Sequence, residues 1–114
     1  MSSIKIKRIA SEMTRVISEI LLEEARDDLL KTMTITGAEV SNDLSFAKIY
    51  FTSLSDMEPS KLEHEMDEAS SFIRTKVAEK MDLRNTPKLK FVYDHSIEYG
   101  NKIEKILSEI KEEK

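Results

Sequence analysis

The sequence predicts an α+β domain in the order helix, strand, strand, bent helix, strand, helix, with a three-stranded sheet covered on one face. Three observations predict it. Apolar residues recur every three or four positions near the start. Two alternating apolar and polar runs flank the turn-forming "SNDLS". A proline then ends a second helical stripe just ahead of a third alternating run. At 114 residues, with only 2 Gly and 2 Pro, the chain is sized for one domain, expected over 1–114.

Ile6, Ile9, Met13, Val16, Ile17, Ile20 and Leu21 fall on one side of a first helix turning about 100° per residue. The acidic stretch "EEARDD" ends it. In "KTMTITGAEVS", Met33 and Ile35 share one parity and Ala38 and Val40 the other. A bulge near Gly37 restores a single buried face, because one extra residue switches the side to which later side chains point. Asn42 and Asp43 in "SNDLS" favour a turn, since their short polar side chains bond nearby backbone. In the second strand, "FAKIYFTSL", Ala47, Ile49 and Phe51 face one way; Lys48, Tyr50 and Thr52 face the other.

Beyond "SDMEPS", the stripe Leu62, Met66, Ala69, Ile73, Val77 and Met81 is wide enough to pack on a sheet. A straight helix would set Lys80 inside that stripe, so either its stem snorkels outward or the helix changes phase upstream. "ASS", Ala69 to Ser71, is the expected bend, because adjacent serines compete for backbone hydrogen bonds. Pro87 pushes Thr86 out of the helical region and ends the segment. "KLKFVYD" then sets Leu89, Phe91 and Tyr93 against Lys88, Lys90 and Val92 as a third strand. Ser96 is placed to cap a last helix bearing Ile103, Ile106, Leu107 and Ile110.

Composition narrows the function. No apolar run approaches the roughly 20 residues that span a bilayer, and "MSSIKIKRIASEM" lacks the apolar segment of a signal peptide. No membrane partner and a cytoplasmic location are expected. The absence of cysteine excludes disulfides and thiolate chemistry. His64 and His95 lack paired-ligand spacing, and two isolated glycines make no phosphate-cradling loop. No enzyme activity, cofactor or metal is expected.

The net charge of −4 offers no global attraction for polyanions, but charge is unevenly spread. Arg74, Lys76, Lys80, Arg84, Lys88 and Lys90 face only Glu79 and Asp82 along their stretch, whereas 56–68 carries six acids and Lys61. Such a layout can orient a protein on phosphates. The competing explanation is that these cations solubilise a helix end and favour its dipole. Lys5, Lys7 and Arg8 form a second, smaller group. Arg8, Glu12, Arg15 and Glu19 make an alternating ladder suited to pairing with one another. With few exposed aromatics, recognition by shape and phosphate is expected over base readout.

The ordered series "DLSFAK", "FIR", "LRNTPKLKF" and "DHSIEYGNKI" resembles ribosome-binding factor A, over about residues 5–110. The resemblance implies a type II KH-like domain and a non-catalytic, cofactor-free monomer that binds the immature small (30S) subunit and 16S rRNA. It also implies assistance in late maturation and 5′-end processing, including during cold adaptation. Such domains carry an Ala-x-Gly kink in place of a GxxG loop; here the kink falls on Ala69, Ser70 and Ser71, with serine at the glycine position. The competing class is a protein interaction module without direct RNA contact.

Overall fold

The computed structural model describes residues 4–25, 27–83 and 85–96. Helix α1 (Ile4–Glu23) buries Ile9, Met13, Val16, Ile17, Ile20 and Leu21, the stripe its spacing predicts, with Ile6 half-buried at its start. A short 3-10 turn, Leu30–Thr32, leads into β1 (Met33–Val40) and the antiparallel β2 (Phe46–Ser53). Helices α2 (Pro59–Glu68) and α3 (Ser70–Lys80) follow, and β3 (Lys88–Tyr93) joins the sheet parallel to β2 in the order β1-β2-β3. This α-β-β-α-α-β succession, with the helices on one sheet face, is the type II KH-like arrangement. The expected last helix lies outside the described residues.

The two parities of β1 are reconciled by a bulge. Ile35 pairs with Phe51 and Gly37 with Tyr50, so Thr36 is the extra residue. Met33 and Ile35 are buried before it, and Ala38 and Val40 pack against the same core after it. In the hairpin turn, Oδ1 of Asp43 accepts bonds from Ser41 Oγ (2.9 Å), Ser45 N–H (3.0 Å) and Ser45 Oγ (2.7 Å). Leu44 takes a left-handed φ of 61°, costly for a branched side chain, and its packing against the core offsets part of that cost.

The bend between α2 and α3 falls at Ala69, the first residue of the expected segment. Its backbone, φ −83° and ψ −4°, is open to any residue, and α3 starts without a side-chain cap. The serine hydroxyls therefore do not cap the new helix. Ala69 N–H still donates to Glu65 O (3.2 Å), and Ile73 N–H donates to Ala69 O (3.0 Å), so a single residue absorbs the change of direction. Leu62, Met66, Ile73, Val77 and Met81 are buried on both sides of it.

The core lies between these helices and the sheet face bearing Ala47, Ile49, Phe51, Leu89 and Phe91. Helix α2 also guards the β3 edge. Tyr93 N–H donates to Glu63 Oε2 (2.9 Å), and Lys90 Nζ reaches Asp67 Oδ2 (3.2 Å). A side-chain acceptor and a charge thus occupy an edge that would otherwise invite another strand.

Candidate nucleic-acid interface

Helix α3 presents its cations on two flanks, because residues two apart on a helix diverge by about 200°. Arg74 faces the segment leading into β3. Its Nε donates to Pro87 O (3.0 Å) and its Nη2 to Thr86 O (2.8 Å). The planar guanidinium thereby fastens the start of β3 to α3, with two donors turned inward. Around it Ser71, Thr75, Ala78, Asn85 and Thr86 line a shallow recess of about 400 Å³.

Lys76 and Lys80 project instead toward the end of α1, where both meet Glu24. Lys80 Nζ lies 3.1 Å from Glu24 Oε2, and Lys76 Nζ 3.7 Å from Oε1. Lys76 is also 3.7 Å from Glu79 and 6.0 Å from the centre of the Phe72 ring. The phase change at Ala69 and an outward stem together take Lys80 out of the apolar stripe. Both lysine side chains are about one-third exposed, whereas Glu24 is 28% exposed and its Oε2 is buried, so these are partly buried pairs and not fully solvated ones.

Lys88 and Lys90 stand on the sheet face away from the helices. Lys88 is exposed and has no ion-pair partner among the described residues, while Lys90 leans over the edge to Asp67. Lys5, Lys7 and Arg8 are exposed on the first turns of α1. Lys7 borders a second groove with Ala10, Ser11, Thr14, Thr36, Gly37 and Ala38. Of the expected ladder on α1, Arg15 and Glu19 pair at 2.9 Å. Arg84 lies outside the described residues.

The cations expected to act together thus divide into an Arg74 flank, a Lys76–Lys80 pair, a sheet-face pair and the α1 turns. Two participants were not singled out from sequence. Glu24 is one of several acids in "EEARDD", and nothing local marks it as the partner of lysines on a distant helix. Lys48 shares the parity of the other sheet-face lysines once strand pairing is known, since it lies opposite Lys90.

His64 Nε2 sits 2.9 Å from Glu68 in an exposed contact, and the His95 ring packs edge-on to Tyr93 at 4.9 Å. Among the described residues no three His, Cys, Asp or Glu side chains gather in a way that could hold a metal ion.

A sequence model described as "Ribosome-binding factor A" matches residues 5–107. The ribosome-binding factor A of Staphylococcus carnosus is 38% identical over 111 residues, spanning 96% of each chain. The crystal structure of ribosome-binding factor A from Thermus thermophilus superposes with a TM-score of 0.68 at 18% identity, covering 77% of this chain and 94% of that one. A homology model of the Thermus thermophilus protein, fitted into the cryo-EM map of a 30S complex, gives a TM-score of 0.65 at 18% identity, over 79% of this chain and 96% of that one. A family match across nearly the whole chain, a relative this similar over its full length and the shared α-β-β-α-α-β fold agree: the chain belongs to the ribosome-binding factor A family.

Proposed function

We propose that this chain is a non-catalytic, cytoplasmic assembly factor. It binds the immature small ribosomal subunit as a monomer, contacts 16S rRNA and assists late maturation, including 5′-end processing. The observation that carries this reading is the family match over residues 5–107. The name of the family and the 30S complex of its Thermus thermophilus member supply the partner. The distribution of cations supports it: Lys5, Lys7, Arg8 and Lys88 are exposed with no ion-pair partner among the described residues and can meet phosphate directly.

In this reading Lys76, Lys80 and Arg84 form the main phosphate contact, with Arg74 positioning the adjoining segment. Lys88 and Lys90 contribute from the sheet, and Lys5, Lys7 and Arg8 from α1. Cosedimentation with purified immature small subunits tests it. Replacing Lys76, Lys80 and Arg84 together by Glu weakens binding while the thermal transition is retained. Unchanged cosedimentation at moderate salt overturns the assignment of these residues.

A further inference from the structure

The sheet face opposite the helices has a pattern that the core does not explain. Because Ala47, Ile49, Phe51, Leu89 and Phe91 point into the core, Phe46, Lys48 and Tyr50 of β2 and Lys88 and Lys90 of β3 point away from it. Register sets Phe46 beside Lys88, and Lys48 beside Lys90. Phe46 is 40% exposed, the largest exposure of any aromatic in the sheet, and Tyr50 is half-buried four residues along the same strand.

Two aspects of this array are unfavourable for an isolated domain. An exposed phenylalanine on a strand gains little from burial, and like charges directly opposite on neighbouring strands repel. Lys90 relieves part of the repulsion by leaning to Asp67, and Lys48 has Glu39 on its other side. Both disadvantages become useful if a flat, anionic ligand covers the face.

We infer that this face binds single-stranded RNA, with Phe46 and Tyr50 as stacking platforms and Lys48, Lys88 and Lys90 as phosphate contacts. A base has an apolar face for a ring and a phosphate one linkage away for an ammonium group, which is the alternation β2 and β3 provide. Duplex RNA fits less well, since its bases are already stacked and present no face to a ring. Carboxylates border the β1 side and the Tyr50 end of the array. Glu39 accepts a bond from the Tyr50 hydroxyl at 3.1 Å, and Asp94 is held by Thr36 at 2.6 Å. They repel phosphate from the β1 side and the Tyr50 end, so the RNA backbone runs along the β3 side, by Lys88 and Lys90 with Lys48 reaching toward it, while bases lie over the β2 rings.

The inference rests on the assembly-factor reading and adds a surface separate from the Lys76–Lys80 flank. It is tested by fluorescence anisotropy with a short labelled oligouridine and with a duplex of equal length, alongside subunit cosedimentation. The wild-type chain is expected to bind the single strand more tightly than the duplex. Phe46→Ala and Lys88→Glu, both at exposed positions, each weaken single-strand binding on the order of ten-fold. Tyr50→Phe, which keeps the ring and loses the Glu39 bond, binds like wild type, whereas Tyr50→Ala does not.

Equal affinity for duplex and single strand, or wild-type affinity in the Phe46→Ala/Lys88→Glu double variant, overturns the inference. If that double variant loses subunits while the wild-type chain ignores naked oligouridine, the face meets protein and the inference also falls. Wild-type cosedimentation by the double variant, combined with no oligouridine binding, removes this surface and leaves the assembly-factor reading standing. Failure of the wild-type chain to cosediment with subunits removes that reading, while the oligouridine result alone decides the face.

Discussion

Glu24 holds two ammonium groups with one carboxylate that is only 28% exposed. Its Oε2 is buried without a hydrogen bond of good geometry, although Lys80 lies 3.1 Å away, so the attraction there is mainly coulombic. Glu24→Gln is expected to cost about 1 kcal/mol or less in stability and to tighten RNA binding by releasing both lysines. Chemical denaturation and anisotropy check the two halves. At Asp94, bonds from the Ser96 hydroxyl, the Thr36 hydroxyl and the Ser96 N–H hold the carboxyl below its usual range. A depressed native value contributes stability that is full above the unfolded value near 4. That contribution is lost as pH falls through the native value. Thr36→Val removes one donor, so NMR titration should move the Asp94 value upward and the loss of stability below about pH 4 should become shallower.

The bend and the bulge carry the consequences at the scale of elements. Since Ala69 bends in a conformation open to every residue, glycine is not required nearby. Ser71 sits within α3, exposed, with its carbonyl accepting a bond from the Thr75 hydroxyl at 2.9 Å. Ser71→Gly is therefore expected to destabilise the chain by about 0.5 kcal/mol, read by urea denaturation, without changing the interhelical geometry. Deletion of Thr36 acts differently. Without the extra residue, Ala38 and Val40 turn to the outer face or the hairpin slips, so the deletion costs several times what Thr36→Ala does. Equal losses in a denaturation series would contradict the role of the bulge in setting register.

At the scale of the molecule, the parts legible in the sequence are those encoded by neighbours along the chain. The α1 stripe, the opposed parities of Met33 and Val40 and the Asp43 turn each depend on a few adjacent residues, and each is found in the structure; the helix stop does not fall at Pro87, because α3 ends at Lys80 and Met81 is already extended. Pairing across elements was not legible. Whether Lys76 faces Glu24 or solvent depends on how α3 rotates against α1, and the grouping of Lys48 with Lys90 depends on which strand borders β2 and in what direction. Local charge counts therefore located the cations but not their divergence over two flanks of α3. An acidic chain whose cations form small groups should neutralise few phosphates. Subunit binding is accordingly expected to weaken as salt rises, in a log–log plot shallower than that of a uniformly basic protein. Salt-independent binding in a cosedimentation series would point to a protein partner.

The parallel pairing of β2 with β3 also constrains the order of events during synthesis. Phe46 finds its neighbour only when Lys88 has emerged, after both intervening helices. Until then the hairpin offers a bare β2 border to any other strand, and the slow, sequence-distant closure sets the pace of folding. A nascent chain halted before Tyr93 should be prone to self-association, and a chaperone acting at the exit tunnel has its greatest value for this protein during that interval.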